Sequence, residues 1–210
     1  KRANETGVLG EDKIEFISYD DGYSPPKTVE QIRKLVERDE VLFTFQTLGT
    51  PTNSAIHKYM NAKKVPHLFV ATGASKWGDP ENYPWSMGWQ PNYPTEAKIY
   101  AAYLLANKQD AKIAILFQDD DFGTAYRDAL EKAVERSNND GSTNMEVVAE
   151  QGYNPLSGTT TEAAVTQLST SGADTFVVGI SGTPCPRRGV GNLPPHSGEI
   201  LDDSVAWIRH

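Results

Sequence analysis

The chain has 210 residues, a formal net charge of -8 and a pI near 5.0, with acidic and basic residues interspersed. That length buries a real core in one large or two small domains, and the charge balance argues against a nucleic-acid partner or an anionic membrane surface. At 38% hydrophobic and 10% aromatic residues the composition is that of a folded chain, no apolar run approaches the roughly 18 residues of a membrane span, and no leader-like segment opens the sequence.

Short apolar runs alternate with amphipathic stretches. KIEFISYD (13–20) predicts a strand, and PKTVEQIRKLVERD (26–39) a helix with Val29, Ile32, Leu35 and Val36 on one face. VLFTF (41–45) predicts a strand, NSAIHKYMNAKK (53–64) a helix and VPHLFVA (65–71) a strand. Residues 72–94, rich in Gly, Pro and Trp, predict irregular structure. The alternation then resumes with a helix in PTEAKIYAAYLLANK, a strand in KIAILFQ (112–118), a helix in GTAYRDALEKAVERS (123–137), a strand in MEVVAEQGY (145–153), a helix in TTTEAAVTQLSTSG (159–172) and a strand in DTFVVGIS (174–181). The repeat is that of an α/β protein with parallel sheets, and runs such as VLFTF and IAILF are apolar on both faces, as sheets covered on both sides require. Two groups of such units predict two lobes, residues 1–90 and 91–181, with a hinge near 85–95. Residues 182–210 lose the rhythm and read as a proline-rich tail.

Ligands of open parallel sheets bind beyond the carboxyl ends of the strands. The segments at those ends are DDGYSPP, QTLGTPTN, TGASKWGDP and DDDFGTAY. TLGTPTN carries more polar groups than a helix start needs: capping explains one hydroxyl and one proline, so Gly49, Thr50, Thr52 and Asn53 together read as either a fuller cap or a place where an anion meets free amides. ATGASKW offers Thr72, Gly73, Ala74 and Ser75, small groups that admit a carboxylate or ammonium, or an ordinary turn. Trp77, Trp85 and Trp89 are core aromatics or the wall of a pocket.

DDDFG predicts an aspartate cap on the following helix in preference to a magnesium site for phosphoryl transfer. A kinase assignment fails because the glycine-rich loop, VAIK lysine and HRD segment are missing, and GxSxG, P-loop and GxGxxG motifs are also missing. Cys185 is alone, and His57, His67, His196 and His210 have no ligand spacing. No catalytic residue, metal site or cofactor is therefore expected.

Together, YDDGYSPPKTVEQIRKLVERDEVLF, LGTPTNSAIHKYMNAKKVPHLFVATGASKW, GWQPNYPTEAKIYAAYLL and IAILFQDDDFGTAY resemble the periplasmic binding proteins of branched-chain amino-acid transport, from about residue 13 to about residue 181. The resemblance implies a two-lobed, non-enzymatic receptor of the type I periplasmic binding fold. Such a receptor closes on a small carboxylate-bearing solute outside the cytoplasm and presents it to the membrane subunits of an ABC transporter. It places ligand contacts at Gly49, Thr50, Thr52, Thr72, Gly73 and Ala74, with Phe122 covering the ligand, Trp77 as a wall and Tyr23 at the rim.

The resemblance has departures at both ends, where the first strand and helix and the later βα units of the family find no counterpart. Exposed sheet edges would follow, and with them a homo-oligomer. The alternatives are a ligand-sensor domain, a scaffold that has lost binding, and the magnesium-dependent phosphoryl-transfer domain.

Overall fold

The computed structural model describes residues 2–154 and 161–180, so the proline-rich tail lies outside the described residues. After a short helix, α1 (Arg2–Thr6), and an extended stretch come α2 (Pro25–Arg33), β1 (Thr44–Phe45), α3 (Thr50–Lys63), β2 (His67–Val70), β3 (Ser86–Gly88) and α4 (Tyr93–Asn107). They are followed by β4 (Lys112–Gln118), α5 (Asp121–Asn139), β5 (Glu146–Tyr153), α6 (Thr161–Ser169) and β6 (Thr175–Gly179). The strands form two three-stranded sheets, β1-β2-β3 and β5-β4-β6, parallel throughout. No described helix is long and apolar enough to cross a membrane.

The second sheet follows the pattern closely. β4 spans the predicted run, and Ile113, Ala114, Ile115 and Leu116 are buried because helices cover both faces of a central strand. One face packs with α4 and α5 through Ala97, Leu104, Leu130 and Val134, and the other with α6 through Ala164 and Leu168. The first cluster continues to Val70, Ala74 and Trp77, so the core runs on from the second sheet to the loop after β2.

The first sheet departs from expectation in three places. KIEFISYD forms no strand: Ile14 and Phe16 are exposed, and the backbone of Ile14 bonds the Asn4 side chain at 2.8 and 2.9 Å instead of a ladder. Alternation supplies a face for a strand but not the neighbour that pairs with it. VLFTF shortens to β1 at its start, where Val41 N donates to Leu35 O at 3.0 Å instead of to a ladder and Leu42 and Phe43 are exposed, while beyond β1 contacts from Gln46 N to Leu68 O and from Ala71 N to Thr47 O carry the pairing onward. β3, three residues long, arises within the stretch read as irregular, since so short a run shows no period. In addition, α2 runs into a π-helical turn, Lys34–Arg38, closed by Asp39 N donating to Lys34 O at 2.9 Å. α2 and α3 pack through Ile32, Ile56 and Met60.

Candidate ligand site at the strand ends

β1 delivers the chain into α3 through Thr47–Gly49, where Gly49 has φ 98. A side chain is excluded there on two counts: the left-handed backbone, and an added Cβ would lie 2.6 Å from the Tyr23 ring and 2.7 Å from Thr52 Oγ1. No side chain caps α3, whose N-cap is Gly49 and whose first turn contains Pro51. The expected threonine cap is therefore absent. Thr52 instead donates its hydroxyl back to the carbonyls of Leu48 and Gly49, the latter at 3.0 Å. Thr50 turns to the loop after β2, its Oγ1 2.6 Å from Thr72 Oγ1.

A third hydroxyl joins them. Tyr93 OH lies 3.2 Å from Thr72 Oγ1 and 3.4 Å from Thr50 Oγ1, and Ala74 N donates to Thr72 Oγ1 at 3.2 Å. Tyr93 opens α4, whose N-cap Asn92 accepts from Thr95 N at 2.9 Å. Its amide donates to Gly73 O at 2.7 Å, and its ring occupies the space that a Cβ on residue 73 would need, at 2.6 Å. Gly73 is thus required for close approach. The Tyr93 ring continues onto Phe122 (centroids 5.5 Å) and Tyr126 (5.9 Å), so Phe122 packs against the ring that carries the third hydroxyl.

The other expected residues sit around this centre. Tyr23 packs over Gly49 and accepts from Gln118 Nε2 at 3.1 Å, reaching the end of β4. Asp120 is the N-cap of α5, accepting from Phe122 N at 2.8 Å and Gly123 N at 3.2 Å, which is the capping role expected of DDDFG. Trp77 is buried elsewhere, its ring 4.7 Å from that of His57 and 6.2 Å from that of His67. Its ring contacts are with these histidines, and it belongs to the same buried cluster as Val70, Ala74 and Tyr93.

The hydroxyl trio has no charged hydrogen-bonding partner among the described residues, so its recognition chemistry is that of hydroxyl and amide donors beside an uncapped helix start. Charge lies one turn away, where Lys76 Nζ donates to Ser54 Oγ at 2.7 Å and to Asp121 Oδ2 at 3.2 Å. That pair is exposed and contributes under about 1 kcal/mol.

Tyr93 and His67 were not expected as site residues, and Asn53 was expected only as one of the surplus polar groups at the start of α3. Tyr93 read as an ordinary aromatic at a helix start, although its place between the NYP turn and an amphipathic helix put it at the same strand edge.

The family profile described as periplasmic binding protein matches residues 1–187. A search of curated proteins gives no match. Among solved structures, a substrate-binding periplasmic protein from Ralstonia solanacearum is similar at TM-score 0.76 and 19% identity, covering 87% of this chain and 49% of that one. A branched-chain amino-acid ABC transporter protein from Thermus thermophilus with bound valine gives 0.73 and 18%, covering 87% and 46%. An ABC transporter solute-binding protein from R. palustris in complex with benzoate gives 0.74 and 17%, covering 86% and 48%. The chain spans about half the length of these structures.

Proposed function

We propose that this chain, which belongs to the periplasmic binding protein family, serves as an extracytoplasmic solute-binding protein for an ABC transporter. Its solute is a small carboxylate-bearing molecule, an amino acid or an aromatic or aliphatic acid, and its role is binding, not catalysis. The observation that carries this reading is the convergence of Thr50, Thr72, Tyr93 OH and Ala74 N on one point at the carboxyl edge of the first sheet. Hydroxyl and amide donors at a helix N-terminus suit a carboxylate, and the Phe122 ring suits an apolar group attached to it. Similar structures that carry valine and benzoate support both kinds of acid.

In this reading the two lobes are residues 1–90 and 91–181, with the hinge near 85–95. Tyr23 to Gln118 and Lys76 to Asp121 are then closed-state contacts between lobes. Membrane subunits of the transporter are the protein partners. Homo-oligomerisation is also part of the proposal, because among the described residues β1 pairs on one side only, and Leu42, Phe43, Phe45, Leu48, Met87 and Trp89 on or near this sheet are exposed.

The test is calorimetric titration with L-valine, benzoate and p-hydroxybenzoate. Saturable binding by at least one acid, lost in Thr50→Ala and Thr72→Ala, supports the reading. Heat flow unchanged by both substitutions contradicts it.

A further inference from the structure

Behind the hydroxyl trio lies a polar network on which the ligand reading makes no demand. Asn53 and His67 have no exposed surface at all. Asn53 Nδ2 donates to Thr47 O at 2.9 Å and to Gly49 O at 2.6 Å, so both its protons tie down the strand-to-helix loop that carries Thr50. Its Oδ1 faces His67 Nε2 at 2.9 Å and also meets the Thr47 hydroxyl, while Thr47 Oγ1 lies 2.6 Å from the same ring nitrogen. An amide oxygen only accepts, and the Thr47 hydroxyl gives its one proton to that oxygen, so the 2.9 Å contact is a hydrogen bond when the imidazole proton sits on Nε2. His67 Nδ1 then holds a lone pair, and it is buried without a partner.

The surroundings make this protonation state consequential. From α3, the His57 ring faces the same Trp77 that lies edge-on to His67, and Tyr83 stacks on His57 at 3.8 Å. The charged groups near the pair are Lys76, which disfavours a cation at His57, and Asp79, which favours one. Among the described residues no carboxylate pairs with either ring. A second proton on His67 would place a cation at the unpartnered Nδ1, with His57 as a further unfavourable neighbour.

We propose that His67 and Asn53 are positioning residues of the site, and that the uncharged Nε2–H form of His67 holds the Thr47–Thr50 loop in place, so that proton uptake by this histidine loosens it. His67 acts through Asn53, whose amide the imidazole orients and whose two N–H groups hold the carbonyls on either side of Leu48. The proposal rests on the ligand-site reading for its functional meaning, but its structural content does not.

Amide hydrogen exchange on the intact chain, corrected for intrinsic rates, tests it at pH 7.5 and pH 5 in wild type, His67→Leu and His67→Gln. The Gln side chain places a donor close to the position of Nε2 and takes up no proton in this range. The reporters are the amides of Gly49, Asn53 and Ala71, which bond Ala71 O, Gly49 O and Thr47 O, against those of β4. Protection of the reporters should fall about thirtyfold between the two pH values in wild type. In His67→Leu it should already be at least about tenfold lower at pH 7.5 relative to β4, and in His67→Gln it should stay high and independent of pH.

Equal losses at the reporters and β4 in His67→Leu, pH-independent protection in wild type, or nitrogen-15 spectra showing the Nδ1–H tautomer would each overturn the proposal. Parallel titrations with benzoate and L-valine separate the two readings. If wild type binds neither, the solute-binding reading fails while the exchange result still decides the role of His67.

Discussion

Tyr93→Phe is the most informative substitution because it removes one oxygen and leaves a packed ring. The hydroxyl lies 3.2 Å from Thr72 Oγ1 and 3.4 Å from Thr50 Oγ1, whereas the ring packs on Phe122 and Tyr126. In the unliganded chain, Thr50 and Thr72 remain paired with each other at 2.6 Å after the change, so neither is orphaned. The folding cost is then at most one neutral hydrogen bond, about 1 kcal/mol. A bound carboxylate raises the stakes, since a hydrogen bond to a charged group contributes about 1.5–3 kcal/mol and its loss weakens affinity by about 10- to 150-fold. Calorimetric titration with benzoate and L-valine, beside urea unfolding of the same samples, measures both quantities. Unchanged affinity for an acid that Thr50→Ala no longer binds would refute the assignment of Tyr93 to the site. A folding loss above about 3 kcal/mol would refute the separation of ring and hydroxyl roles.

Gly73→Ala should displace Tyr93, because the new Cβ would lie 2.6 Å from its ring carbons and 2.9 Å from Pro91 O. A loss of about 1–3 kcal/mol in urea unfolding checks this. Gly123→Ala should be worse, since its Cβ would overlap the backbone of Gln118, which cannot swing aside as a side chain can; circular dichroism should show a loss above about 3 kcal/mol or failure to fold.

Acid should destabilise the chain through His67, whose burial, with His57 adding, pushes it down to about 4. A histidine depressed in the folded state contributes its full stability above the unfolded value of roughly 6.5. That stability drains as pH falls from there toward the folded value, by up to about 3 kcal/mol. Urea midpoints from pH 7.5 to 4 measure it, and His67→Gln should flatten the slope. Light scattering should show an assembly larger than one chain that Phe45→Glu with Trp89→Glu disperses.

The parts of this fold that follow from local pattern are those whose packing is local and two-sided. β4 is apolar along its length because helices cover both faces, so its boundaries coincide with the apolar run itself. KIEFISYD alternates apolar and polar residues but gains no partner strand, and β3 forms without any pattern because β2 offers it an edge. Pairing is decided by neighbours, and neighbours are not encoded in periodicity.

The candidate site divides in the same way. Thr50, Thr72 and Ala74 were expected from loop chemistry, and the structure brings their polar atoms together. Thr52 has the same residue type two positions on, yet its hydroxyl folds back onto the preceding turn, a direction set by helix geometry. Tyr93 and His67 enter from 43 and 20 residues away, through contacts that only the assembled sheet creates.

The central claim is that the hydroxyl trio receives the carboxylate of a small acid. Titration of wild type and the Thr50→Ala, Thr72→Ala double variant with L-valine, benzoate and p-hydroxybenzoate tests it most directly. Saturable binding of at least one acid by wild type, and none by a double variant that still unfolds cooperatively, is the expected result. Equal affinity in the two proteins, or no acid bound by folded wild type, would contradict it.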